Sequence, residues 1–438
     1  MRRLSLLASD DLQRALIRRA GMPVSAGRFI AQAEALALRL PPGRYAVNLC
    51  DDRYQFLLAF CAIALAGQTS LLPAARTPHA IAGVMQAYPG SYALGDAPIE
   101  GVALGFSMPG AAELGDADAQ GIPSIAADHL VAIGFTSGST GVPKPNAKTW
   151  ASICASSALN AALLGVDACG ASIVATVPPQ HMYGLEMSVL LPLRSHAAVH
   201  AGQPFFPGDV AHALHESPAP RVLVTTPFHL RTLLHDAVAL PALQAIVTAT
   251  APLDTELACL AEARFDAPVI EVFGSTETCV IAHRRTVRDE PWRLYRGIEL
   301  HPQPDGTLVH APHFEAPTLL QDIVELLPEH RFRLCGRNSD LLEIAGKRAS
   351  LADLTRHLLA LDGVHDGVIF QLDADARGLR RLAALVVAPT LDEARILAAL
   401  RAAIDPVFLP RPLRRVDALP RNAAGKLPRE ALLAALNT

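Results

Sequence analysis

The chain has 438 residues, 51% of them hydrophobic and 18% charged, with a formal net charge of −4. That length exceeds what one hydrophobic core usually serves, so two or more domains are expected, and the mildly acidic balance with scattered arginines offers no basic stripe for a nucleic-acid backbone. Seven dispersed cysteines without a C-x-x-C pair argue for reduced thiols and against a disulfide frame or zinc site, which predicts a cytoplasmic location.

The start, Met1-Arg2-Arg3, is followed by an apolar patch that ends at Ser9-Asp10-Asp11, before a signal-peptide core forms. Residues 45–49 read as a strand. The longest uninterrupted apolar run, 56–66, reads as a buried helix, because crossing a bilayer takes about 20 residues. No membrane span is expected. The apolar run Leu130-Val-Ala-Ile-Gly then leads into Phe135-Thr-Ser-Gly-Ser-Thr-Gly-Val-Pro-Lys144. Glycines let a backbone curl close to a polyphosphate, while Thr136, Ser137, Ser139 and Thr140 supply hydroxyls and Lys144 a charge. The spacing differs from a Walker loop, and a small polar linker is the competing reading.

Further strands are expected at 172–177, 221–225, 245–249 and 268–273, separated by helical stretches such as 209–215 and 228–235. This alternation predicts an α/β fold whose near-continuous apolar strands are covered on both faces, with ligands gathering at their carboxyl ends. Phe273-Gly-Ser-Thr-Glu277 leaves one of these strands with an aromatic face, a flexible turn, hydroxyls and one carboxylate. The ring suits a purine and Glu277 suits a Mg²⁺, which needs only one or two carboxylates; a solvated turn is the alternative. Asp322 and Arg337 stand fifteen positions apart around a polar joint, placed either to reach a ribose diol or as ordinary surface charges.

From about Arg331 the texture becomes that of a compact second domain, with strands at 367–372 and 382–387 between helices. Its tail, Leu419-Pro-Arg-Asn-Ala-Ala-Gly-Lys-Leu-Pro-Arg429, is a basic loop before a final short helix. Lys426, flanked by Arg421 and Arg429, is a compact charge fit to neutralise a carboxylate meeting a phosphate, or part of a basic surface.

The order of these segments resembles the adenylate-forming enzymes, which include acyl-CoA synthetases, aryl-acid ligases, peptide-synthetase adenylation domains and luciferases. The resemblance runs from Ala64-Leu-Ala-Gly-Gln-Thr-Ser-Leu-Leu-Pro73 to Lys426. It implies a large N-terminal domain of layered sheets and helices over 1–338, and a small mobile α+β domain over 339–438. It also implies ATP and Mg²⁺ as cofactors. Thr136, Ser137, Gly138, Ser139, Thr140, Gly141 and Lys144 match the phosphate-binding loop, with Thr140 among the catalytic residues. Phe273, Gly274, Ser275, Thr276 and Glu277 match the adenine-stacking and magnesium motif, Asp322 and Arg337 the ribose pair, Ser339 the hinge and Gly346-Lys347-Arg348 the turn after it. Lys426 matches the lysine that bridges substrate carboxylate and α-phosphate. In the family, an acid and ATP give an acyl-adenylate and pyrophosphate; the small domain then swings and a phosphopantetheine thiol takes the acyl group.

The chain departs from the family pattern at Pro145, Phe273, Gln321, Ser339 and Glu343, and the interval between Glu277 and Asp322 looks trimmed. These departures bear on the hinge and thiol channel, and they leave a catalytically silent scaffold as the reading from another class. Amino-acid-activating members carry an Asp for the α-ammonium, whereas the matching segment here is Pro178-Pro-Gln-His181-Met-Tyr-Gly-Leu185. His181 resembles the aromatic gate of acyl and aryl ligases. With Tyr183, Gly184, Thr248 and Thr250 it is expected to bind a small aromatic acid such as a hydroxybenzoate. The compact length is similar to stand-alone ligases of aryl-polyene and xanthomonadin-type pigment clusters, which implies an acyl carrier protein as thiol acceptor, with free CoA as the alternative.

Overall fold

The computed structural model describes residues 2–136, 144–303, 306–337, 341–344, 347–373, 381–422 and 426–437. By internal packing the chain divides into Met1–Ile298 with Ala311–Ala316, and Glu299–His310 with Pro317–Thr438. This division falls ahead of the expected 338/339 boundary. The hairpin Glu299–Gln303 and Gly306–His310 pairs onward with Thr318–Leu320, so its backbone partners lie with the later strands.

In the first unit, one sheet has the order Lys144–Thr149, Leu130–Thr136, Thr69–Leu72, Tyr45–Asn48, Tyr92–Gly95, Phe106–Ser107. Every neighbouring pair is parallel except the first. A second sheet of this unit runs Trp292–Leu294, Cys279–Arg284, Val269–Ser275, Ala245–Thr248, Arg221–Thr225, Ser172–Ala175, Ala198–His200, Ala15–Arg19, Met22–Ser25. Its middle is parallel and its two ends are antiparallel.

Burial on both faces explains the apolar strands: Ile173, Val222, Val224 and Val247 are buried on one face, and three helices cover the other. Val174, Leu223, Ile246 and Val269 bury against Val210 and Leu214, Leu230 and Leu233, and Leu257 and Ala261, which belong to the helices Pro207–Glu216, Pro227–His235 and Thr255–Phe265. Each strand hands over to its helix through local chemistry. Thr226 caps the helix that begins at Pro227, the residue whose missing N–H costs nothing at a first helical position. Asp52 accepts the Gln55 amide to start Arg53–Leu65, the apolar run expected to be a buried helix, and that helix is buried along nearly its whole length. Among the described residues no helix is long and apolar enough to cross a membrane.

In the second unit, Leu382–Val387 is the middle strand of a sheet between Asp366–Gln371 and Leu413–Arg415. Its side chains alternate: Leu382, Ala384 and Val386 join Leu358 and Leu400 on one face, while Ala383 and Leu385 join Leu419 and Leu432 on the other. Helices therefore cover both faces, and the last one, Arg429–Asn437, holds the tail against the sheet.

Candidate active site

Leu130–Thr136 and Lys144–Thr149 are antiparallel, with Thr136 opposite Lys144 and Gly134 opposite Asn146. The two ends of the glycine- and hydroxyl-rich loop are thus fixed face to face; Ser137, Gly138, Ser139, Thr140 and Gly141 lie outside the described residues. Along the return strand Lys144, Asn146 and Lys148 share one face, of which Asn146 and Lys148 are buried while Lys144, at the end of the strand, is exposed; Ala147 on the opposite face is exposed.

Val269–Ser275 and Cys279–Arg284 form a second hairpin, with Ser275 opposite Cys279 and a bulge between Phe273 and Gly274. A Cβ on Gly274 would meet the Cys279 carbonyl oxygen at 2.1 Å, so glycine is required there. Cys279 has φ +61°, and Ser275 and Thr278 exchange hydrogen bonds across the turn at 3.1–3.2 Å. These bonds fix the turn that carries Thr276 and Glu277. Glu277 is half-buried, and no described side chain donates to its carboxylate. The Phe273 ring lies 5.2 Å from that of Trp292. Trp292 is in turn covered by Arg284, whose Nε donates to the buried Glu271 carboxylate at 2.6 Å.

The two hairpins meet. A Cβ on Gly134 would sit 2.9 Å from Thr276 Cγ2, so the absent side chain permits the approach. Gly134, Phe135 and Thr276 line one crevice with Leu72, Pro73, Ala74, Gln180, His181 and Met182. Four segments far apart in sequence therefore converge on one place: the early motif, the hairpin that flanks the glycine- and hydroxyl-rich loop, the expected gate and the glutamate turn.

His181 precedes the short helix Met182–Leu185. A Cβ on Gly184 would be 1.9 Å from the Pro178 carbonyl oxygen, which only glycine tolerates. Tyr183 is buried, and its hydroxyl donates to the Val247 carbonyl at 2.9 Å, so the segment is tied to the end of Ala245–Thr248. That hydroxyl is occupied, leaving the ring as what Tyr183 presents. Thr248 is fully buried and Thr250 holds φ +79°; both hydroxyl oxygens are buried and take part in no hydrogen bond among the described residues. His229 Nδ1 lies 3.0 Å from Thr226 Oγ1, its Nε2 is likewise unpartnered, and burial lowers its pKa, so the ring stays neutral. These unpartnered polar atoms lie at or just beyond the carboxyl ends of the neighbouring parallel strands Arg221–Thr225 and Ala245–Thr248, where ligands gather in α/β sheets.

Sequence reasoning missed a buried polar network beneath the glutamate turn. Lys148 is 5% exposed and its Nζ donates to the Glu277 carbonyl at 2.6 Å. Glu186 is 1% exposed and accepts from the Val280 amide at 3.1 Å, Ser156 Oγ at 2.7 Å and Asn160 Nδ2 at 3.3 Å. Tyr295 donates to Asn160 Oδ1 at 2.9 Å. Burial pushes the Glu186 carboxyl up, opposed by those hydrogen bonds and by the Lys148 charge. The signal was a single charge in the apolar stretch from Met182 to Leu193, and a lysine at an inward position of a strand.

In the second unit, Asp322 is directly opposite Arg337 on the antiparallel pair Asp322–Leu327 and Arg331–Arg337. Asp322 is buried, and its carbonyl accepts from Thr307 Oγ1 at 2.7 Å. Lys426 is exposed; its amide donates to Asn422 Oδ1 at 2.9 Å and its carbonyl accepts from the Asn422 amide at 2.8 Å. Both flanking arginines are committed elsewhere: Arg421 to Asp366 at 2.9 Å, and Arg429 to Asp373 at 2.8 Å and to the Gln371 carbonyl. They anchor the loop to the sheet. Ser339 lies outside the described residues.

Residues 37–301 match the model of the AMP-binding enzyme family, more than half of the chain. The chain belongs to that family, and it is an AMP-forming acid–thiol ligase. It is 31% identical over 326 residues to a 4-coumarate–CoA ligase of Halorhodospira halophila, covering 69% of this chain and 76% of that one. The fold is similar to that of ATP-bound MatB from Rhodopseudomonas palustris, with a TM-score of 0.83 and 19% identity over 98% and 96% of the two chains. It is also similar to that of the Bacillus subtilis o-succinylbenzoate CoA synthetase in complex with ATP and magnesium, with a TM-score of 0.79 and 20% identity over 95% and 96%. These likenesses bear out the α/β architecture expected from the strand and helix rhythm.

Proposed function

We propose that this ligase activates a small aromatic acid bearing a hydrogen-bonding substituent, of the hydroxybenzoate or hydroxycinnamate kind, and passes it to the phosphopantetheine thiol of an acyl carrier protein. The observation that carries the acid is the set of buried, unpartnered polar atoms on Thr248, Thr250 and His229, next to the strand end that holds Tyr183. An aliphatic chain would leave those atoms unsatisfied, at a cost of about 1–3 kcal/mol each. The relative named a 4-coumarate–CoA ligase supports an aromatic acid and equally favours a second reading, in which free CoA is the acceptor.

Activation of a carboxylate is limited by repulsion between two anions, so positioning and charge neutralisation supply most of the catalysis. Thr136 and Lys144, at the mouth of the first hairpin, would hold the phosphates that depart as pyrophosphate, together with the loop hydroxyls of Ser137, Ser139 and Thr140. Phe273 would cover the adenine, and Asp322 and Arg337 would take the ribose hydroxyls. Lys426 would neutralise the substrate carboxylate as it meets the α-phosphate, and Ser339 would serve as the hinge between half-reactions. His181 would close over the acid. The Glu277 carboxylate, a hard oxygen donor with no other partner among the described residues, fits a Mg²⁺, which when bound draws charge from the phosphates.

A pyrophosphate-exchange screen across aromatic, short-chain and long-chain acids, followed by mass analysis of thioesters with carrier protein and CoA offered separately, tests the proposal. Hydroxylated aromatic acids are expected to exchange fastest and carrier protein to be the better acceptor. Preference for aliphatic acids would overturn the acid, and equal or faster transfer to CoA would establish the second reading.

A further inference from the structure

The backbone turn from Glu277 to Val280 is held at its two ends by buried groups of opposite charge. The Glu277 carbonyl accepts from the Lys148 ammonium at 2.6 Å, and the Val280 amide donates to the Glu186 carboxylate at 3.1 Å. Lys148 lies on the return strand of the phosphate hairpin, four residues after Lys144, and Glu186 lies on the segment that continues the His181 helix. Among the described residues no carboxylate comes within ion-pairing distance of Lys148, so its charge is compensated through space by Glu186. Burying an ammonium costs several kcal/mol, and one carbonyl hydrogen bond with a weak thiol contact does not repay it; an apolar side chain would pack the position at lower cost.

We propose that Lys148, compensated by Glu186, is a positioning residue that sets the Glu277 carboxylate against the phosphate hairpin. The proposal rests on the reading of Glu277 as the magnesium carboxylate. Ammonium to carbonyl and carboxylate to amide match the dipole of the turn at both ends, and charge-assisted hydrogen bonds are about twice as strong as neutral ones. They fix a turn that already carries a strained residue, Cys279 at φ +61°. The Cys279 thiol, which also meets Ser156, and the half-buried His313 lie around the ammonium. Lys144 and the Glu277 turn are thereby tied to one strand: Lys144 is exposed at its outer end, and Lys148, four residues on along the same face, is buried and holds the Glu277 carbonyl.

The test is calorimetric binding of a non-hydrolysable ATP analogue to the full chain, with and without Mg²⁺, alongside thermal stability. Lys148→Met keeps the stem and removes the charge; it is expected to cut the affinity gained on adding Mg²⁺ about tenfold, as loss of one charge-assisted hydrogen bond implies, while affinity without the metal changes little. In the double variant Lys148→Met/Glu186→Gln the core is neutral and stability is expected to recover, but the magnesium gain is not. Recovery of both would show that Lys148 is merely structural and overturn the proposal, as would an unchanged magnesium gain in the single variant. If the single variant does not fold, the double variant carries the same comparison. Glu277→Gln separates the two readings: if it retains the magnesium gain, the metal assignment fails, whereas its loss there with retention in Lys148→Met sinks only the clamp.

Discussion

Asp322 and Arg337 stand directly opposite each other across an antiparallel pair, although fifteen positions separate them in the chain. The turn at 328–330 closes the pair, and the register brings a buried carboxylate and an arginine backbone position together at one end of it. If Asp322 accepts hydrogen bonds from both ribose hydroxyls, Asp322→Ala loses about 1.5–3 kcal/mol of nucleotide binding, a rise of about ten- to a hundredfold in KM for ATP. The wild-type enzyme is expected to discriminate against 2′-deoxy-ATP and the variant to lose that discrimination. Equal discrimination in both would place the ribose elsewhere.

Lys426 offers a cleaner separation of half-reactions. Because Arg421 and Arg429 are engaged by Asp366 and Asp373, neither is placed to replace it. Lys426→Ala is expected to slow pyrophosphate exchange by about a hundredfold or more, the scale seen when one group stabilising a developing charge is removed. Thioester formation from a supplied acyl-adenylate should survive. Parallel loss of both half-reactions would contradict a lysine used in adenylation alone.

Gly274 tests the geometry of the glutamate turn. A methyl group there has no room, since it would meet the Cys279 carbonyl oxygen at 2.1 Å. Gly274→Ala is expected to destabilise the fold by about 1–3 kcal/mol, read from denaturant unfolding, and to raise KM for ATP. Wild-type stability in this variant would mean the turn is more adaptable than its contacts suggest.

His313 gives the acid limb of stability a specific contributor. Burial, then the Lys148 charge, lowers its pKa from 6.5 to about 4. The unfolded chain binds that proton near pH 6.5 and the folded chain only near about 4, so the stabilisation is full above pH 6.5 and is lost as pH falls across that window. His229 and His283 are shifted in the same direction and add to the slope. In His313→Gln, Tm should fall less steeply between pH 6.5 and 4 than in the wild type; parallel curves would remove His313 from the account.

Local chemistry explains what was legible in advance. The strands expected at 172–177, 221–225 and 245–249 occur as Ser172–Ala175, Arg221–Thr225 and Ala245–Thr248, because a strand buried on both faces shows itself as an unbroken apolar run. Motif order likewise proposes roles for Glu277, Asp322, Arg337 and Lys426, since glycine turns and isolated charges in turns and loops survive as sequence signals. Pairing and desolvation do not survive in that way. Lys148 and Glu186 lie 38 positions apart and look like ordinary charges in a string of letters. The folded chain decides that both are buried and that they grip opposite ends of one turn. It also decides that the Tyr183 hydroxyl is occupied while those of Thr248 and Thr250 are not. Backbone propensity and family motifs are short-range properties and were fixed by the sequence itself; burial and partner choice depend on which distant segments close over a residue, and only the tertiary structure sets those.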